Sequence, residues 1–172
     1  MSDGADRAAA AFVGAFIEEL VRSGVRHVCI APGSRSSPLA LTLAAHDGIR
    51  TWVHLDERAA AFFALGMARD LGEPVGLLCT SGTAAANFLP AMVEAAAAGI
   101  PLLVMTADRP PELRDVGAAQ TIDQARLFGV HVRWFVDVAL PEATAELLRY
   151  ARTLACRAVA RASMTPPGPV HL

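Results

Sequence analysis

The chain has 172 residues, 53% apolar and 19% charged, with 15 basic against 17 acidic side chains. That balance excludes a disordered or polyelectrolyte chain, and the length suits one domain. A net charge of −2 and a pI near 6.2 argue against a surface built to neutralise nucleic-acid phosphates. Lysine is absent, so every basic side chain is Arg. The guanidinium fork suits carboxylates better than an ammonium does, which makes loop arginines candidate ligand-binding groups. Cys29, Cys79 and Cys156 are odd in number and far apart, with no CxxC pair. They fit a reducing cytoplasm rather than a disulfide framework.

Helical and strand periods alternate along the chain. Residues 7–23 read as an amphipathic helix with Phe12, Phe16 and Leu20 on its apolar face, closed by Gly24. Residues 27–30 form a first strand, and Ser36-Ser37-Pro38 opens a helix that Gly48 closes, the serines suited to capping. Residues 50–54 are a second strand and 56–70 a helix with Gly72 past its end. Residues 75–79 are a third strand, 84–98 its helix, and 102–105 a fourth strand. A helix over 122–128, a strand over 131–136 and a last helix over 141–162 follow, and the chain ends on a loop entering a strand. Only Glu94 is charged between Pro74 and Ala107, but Ser81, Gly82, Asn87, Pro90 and Gly99 divide that stretch. The pieces are too short for a membrane span and read as buried core.

Continuous apolar strands separated by helices imply a mostly parallel sheet of about six strands, covered on both faces as an α/β/α sandwich. In such sheets ligands bind beyond the carboxyl ends of the strands. Four loops should therefore open on one edge: Gly33-Ser34-Arg35-Ser36, Asp56-Glu57, Thr80-Ser81-Gly82-Thr83 and Asp108-Arg109. Glu57 is either a first-turn carboxylate complementing its helix dipole or a group that exchanges a proton with a ligand nitrogen. Arg35 and Arg109 are either solvated or a clamp for a dianion. The Thr80–Thr83 turn lacks the lysine and glycine spacing of a P-loop, and no residues show zinc-ligand spacing.

The loops are more specific than their composition. Ala31-Pro32-Gly33-Ser34-Arg35-Ser36-Ser37-Pro38-Leu39, Leu55-Asp56-Glu57-Arg58, Thr80-Ser81-Gly82-Thr83-Ala84 and Thr106-Ala107-Asp108-Arg109-Pro110-Pro111-Glu112-Leu113 come in this order along the chain. Together they resemble the thiamine-diphosphate-dependent SEPHCHC synthases of menaquinone biosynthesis (2-succinyl-5-enolpyruvyl-6-hydroxy-3-cyclohexene-1-carboxylate synthases). The broader superfamily shares only the glutamate and the Thr-Ser-Gly turn, which it usually continues with Pro-Gly rather than Thr83-Ala84.

The resemblance implies an enzyme that decarboxylates 2-oxoglutarate and adds the four-carbon unit to isochorismate. It implies that Glu57 is catalytic, sharing a proton with the cofactor's aminopyrimidine ring, and that Pro32, Gly33, Ser81 and Gly82 join it around the cofactor. Ser34, Arg35, Arg109 and Gln120 match substrate-lining positions. Residues 1–172 would then be the single N-terminal, pyrimidine-binding domain of a longer cytoplasmic chain, a homodimer or homotetramer, with no metal ligand of its own. The Mg2+ ligands are expected in a separate C-terminal domain, without which this piece should be inactive. Loss of that neighbour should expose Phe62, Phe63 and Phe88. The alternatives are another thiamine-diphosphate carboligase resembling acetolactate synthase, or a non-catalytic domain of this fold.

Overall fold

The computed structural model describes residues 2–172. Its order is α1 (Ser2–Arg22), β1 (His27–Ala31), α2 (Ser37–Ala44), β2 (Arg50–Val53), α3 (Glu57–Leu71), β3 (Val75–Cys79), α4 (Thr83–Ala86) and α5 (Leu89–Ala98). β4 (Leu102–Thr106), β5 (Trp134–Phe135), α6 (Ala145–Ser163) and β6 (Val170–His171) complete it. The strands form one sheet in the order β2-β1-β3-β4-β6-β5, and every pair is parallel. The expected three-layer α/β architecture is therefore present.

Period-two alternation divides the core. Val28, Ile30, Leu78, Leu103 and Met105 face one layer, where they meet α1, α2 and α6. Cys29, Ala31, Leu77, Cys79 and Val104 face the other, against α3, α4 and α5. Cys29 and Cys79 are buried there as small apolar groups, and burial pushes the Cys29 thiol up to about 12.

Several boundaries differ from the sequence reading. The helix expected over 122–128 is absent. Asp123 Oδ1 accepts the Ala125 N–H at 2.9 Å, and Gln120 and Arg126 both sit at φ 56°, so the segment runs as turns. The strand over 131–136 shortens to β5. The last helix starts at Ala145 instead of residue 141, because Thr144 Oγ1 accepts the Leu147 N–H at 3.2 Å and caps it there. The helix over 84–98 breaks at Asn87 and Phe88, where Pro90 in the first turn of α5 cannot continue the α4 ladder. Phe88 anchors that break and is fully buried; Phe62 and Phe63 are the exposed pair. Ser36 precedes α2 without capping it by its side chain.

Candidate functional site

Because the sheet is parallel, the loops after β1, β2, β3 and β4 leave from one edge, as expected. The loop after β1 is tied by its own residues. Ser36 Oγ accepts the Gly33 N–H at 3.1 Å and donates to the Gly33 carbonyl at 3.0 Å, and Ser37 Oγ donates to the same carbonyl at 3.2 Å. Those two serines close the loop, while Pro32, Ser34 and Arg35 stay exposed on it. Gly33 lies so close to Thr80 that an added Cβ would come within 2.5 Å of the threonine Cβ.

The loops after β3 and β4 are joined by residues far away in sequence. Arg109 Nη1 donates to Ser81 Oγ at 2.9 Å and Nη2 to the Ala119 carbonyl at 2.9 Å. Ser81 Oγ donates to the Gln120 carbonyl at 3.0 Å, and Gln120 Nε2 returns a bond to the Ser81 carbonyl at 3.1 Å. Gly82 holds φ 83°, and an added Cβ would meet the Gln120 carbonyl at 2.8 Å, so both conformation and space demand glycine. Arg114 braces the outside, pairing with Asp137 at 2.8 Å and Asp108 at 3.3 Å. That pairing holds the Asp137 carboxyl below its ordinary range and raises the Arg114 guanidinium above its own.

Arg35 and Arg109 line the same crevice, of about 320 Å³. Its walls include Phe12, Val13, Phe16 and Leu39 from the α1–α2 layer. Glu57 does not line it. The glutamate begins α3 in the opposite layer, half-buried, next to the Asp56 that caps the helix by accepting the Ala59 N–H at 2.7 Å. Burial, and to a lesser degree the nearby Glu57 carboxylate, push the Cys79 thiol up. Ser81, Gly82, Arg109 and Gln120 thus form one cluster, Gly33 and Arg35 stand beside it, and Glu57 stands apart from the crevice.

Sequence reasoning passed over Gln124. Its buried side chain accepts from Gly82 N–H at 2.7 Å and donates to the Ala107 carbonyl at 3.1 Å. A lone Gln in a supposed helix carries no such signal. Among the described residues no group of three or more His, Cys, Asp or Glu is placed to hold a metal ion, and no helix is long and apolar enough to cross a membrane.

Residues 11–127 match the thiamine pyrophosphate enzyme N-terminal TPP binding domain. The chain belongs to this family. Curated relatives named 2-succinyl-5-enolpyruvyl-6-hydroxy-3-cyclohexene-1-carboxylate synthase match most of it. The Geobacillus thermodenitrificans protein is 59% identical over 161 residues, 94% of this chain and 28% of that protein. The Roseiflexus sp. protein is 60% identical over 158 residues, 91% of this chain and 27% of its own length. The Haloquadratum walsbyi protein is 59% identical over 157 residues, 91% and 25% of the two chains. This TPP-binding domain therefore spans about a quarter of the length of these relatives.

The residues present suit a polar heterocycle of the TPP kind. The Glu57 carboxylate has no hydrogen-bonding partner among the described residues. Thr80 Oγ1 is buried without a partner beside the glycine cradle at Gly33, and His54 Nε2 is likewise orphaned at the end of β2. Unpaired buried polar atoms are costly, and a ligand that hydrogen-bonds to them removes that cost.

Proposed function

We propose that this domain supplies the pyrimidine side of the active site in a SEPHCHC synthase, which decarboxylates 2-oxoglutarate and joins the four-carbon unit to isochorismate. The observation that carries the reading is 59% identity over 94% of the chain to a relative of that name. Thiamine diphosphate, when bound, would supply the electron sink for decarboxylation, and Mg2+ would be held by residues outside this chain.

The Glu57 carboxylate shares a proton with a ring nitrogen of the pyrimidine. It stands in the first turn of α3, and no cation competes for it among the described residues. Pro32, Gly33, Ser81 and Gly82 shape the cofactor's side of the cleft. The Arg35 guanidinium, exposed and without a partner among the described residues, receives a substrate carboxylate. Arg109 acts in two ways, since two of its donors hold Ser81 and Ala119 while its charge faces the crevice it shares with Arg35. Ser34 and Gln120 complete the substrate side. The working unit is a cytoplasmic homodimer or homotetramer whose partner residues close the cleft.

The test is direct. The full-length protein, supplied with thiamine diphosphate, Mg2+, 2-oxoglutarate and isochorismate, should release CO2 and form SEPHCHC in equal amounts. CO2 release with pyruvate and 2-oxobutyrate but not with 2-oxoglutarate would instead favour a carboligase of the acetolactate synthase type. No cofactor binding by the full-length protein would leave a non-catalytic domain of the fold.

A further inference from the structure

Apart from Ser36 in the β1 loop, the buried polar residues among the described ones are concentrated at one place. Thr80, Ser81, Gln124 and His171 are all buried around the carboxyl ends of β3, β4 and β6, and Thr106 lies among them. Burying an amide side chain is unfavourable unless both its ends are paired. Gln124 satisfies this condition. Gly82 N–H can only donate and the Ala107 carbonyl can only accept, so the Gln124 oxygen must face Gly82 and its nitrogen Ala107. The same nitrogen reaches Thr106 Oγ1 at 3.3 Å. The threonine hydroxyl in turn pairs with His171 Nε2 at 2.8 Å. Donor and acceptor roles are thus fixed from Gly82 through Gln124 to Ala107, and Thr106 links this chain to His171. The imidazole at the end stays neutral, because burial pushes it down to about 4.

We propose that Gln124 is a positioning residue, whose amide sets the Ser81–Gly82 turn against the loop after β4. Local preference cannot set that turn. Gly82 holds a left-handed φ with no side-chain cap for α4, and both the carbonyl and the side chain of Gln120 crowd it. The hydrogen bond from Gly82 N–H crosses 42 positions of sequence. Without it, the turn that presents Ser81 to Arg109 and Gln120 loses its depth reference. The consequence for turnover rests on the function proposed above, whereas the geometric role does not.

Two substitutions in the full-length protein separate the parts. Gln124→Leu removes acceptor and donors together, while Gln124→Glu keeps the acceptor for Gly82 and loses the donors toward Ala107 and Thr106. The first readout is amide hydrogen exchange at Gly82, measured without cofactor. It should speed up by about tenfold or more in Gln124→Leu and stay near wild type in Gln124→Glu, as expected for one lost net hydrogen bond. Exchange at Val28 in β1, inside the core, should not follow.

The second readout is steady-state turnover, in which kcat should fall by about tenfold in both variants while KM for 2-oxoglutarate changes by less than about threefold. Wild-type exchange at Gly82 in Gln124→Leu would overturn the proposal. So would equal acceleration at Gly82 and Val28, which means general loosening, or full kcat in both variants. If the wild-type protein fails to turn over these substrates, the proposed function falls, and the exchange arm still decides the role of Gln124.

Discussion

Two loops on the same sheet edge are built in opposite ways. The loop after β1 is closed by bonds spanning three or four residues, from Ser36 and Ser37 to Gly33. The loops after β3 and β4 are closed by the 114–128 segment, through bonds spanning 39 and 42 residues at Ser81 and Gly82. A locally closed loop needs little from the rest of the fold and leaves its arginine free. A loop held from a distance spends its arginine on assembly, as Arg109 does on Ser81 and Ala119. Two arginines on one crevice are therefore not equivalent. Each substitution below should reveal which kind of closure it touches.

The largest effect should come from outside both loops. Glu57→Gln in the full-length protein should keep the fold yet slow proton exchange at the reactive carbon of thiamine diphosphate by about 100-fold or more, as for a lost proton-transfer group. Exchange at the wild-type rate would remove Glu57 from the chemistry and return attention to the two loops.

Acid should act on the distantly held region alone. Burial pushes the His171 imidazole down to about 4, against an ordinary value of 6.5, so it is neutral in the fold well above pH 4. Between those values the unfolded chain binds a proton that the folded chain refuses, so stability is full above pH 6.5 and falls as pH drops toward 4. Asp137 opposes the shift by favouring the charged imidazole. The loss over that window should be about 3 kcal/mol, read by denaturant unfolding at each pH and absent in His171→Phe. The β1 loop holds no group that titrates there.

The arginines give the sharpest contrast. Arg35→Ala should weaken substrate use by ~1.5–3 kcal/mol in kcat/KM and leave cofactor affinity nearly unchanged. Arg109→Ala should weaken both, because Ser81 loses its bond at the same time. Equal profiles for the two variants would break the comparison. The glycines provide the smallest test. Gly82→Ala meets backbone at a left-handed φ, and Gly33→Ala at φ −164° meets the Thr80 Cβ at 2.5 Å, an atom that no change of rotamer moves. Thermal unfolding should show each costing ~1–3 kcal/mol, Gly82→Ala through backbone strain and Gly33→Ala through crowding.

How far the site was legible follows the same division. Ser34, Arg35 and the two closing serines lie within a few residues of the strand that presents them, and their loop was recognisable as a unit. Arg109 was legible as a crevice residue, and its hold on Ser81 was not, because the bond joins residues 28 apart. Gln124 was invisible: the hydrophobic spacing over 122–128 suggests a helix, and the Asp123 turn and the left-handed Arg126 override it. Glu57 was expected in the crevice with the arginines. It stands in the first turn of α3, a helix whose buried alanines pack in the other layer, and it is absent from the lining of the arginine crevice.

The sequence by itself determined the alternation of strands and helices, the parallel sheet and the edge where the informative loops emerge. These follow from side-chain period, from glycines past helix ends and from the shortness of each connection, all of which act over a few residues. Tertiary structure alone decided which side chains on that edge meet. It also turned the supposed helix over 122–128 into turns and buried Phe88 at a helix break. Those outcomes depend on contacts between residues tens of positions apart, whose loop-closure cost is repaid only once the sheet has brought them together.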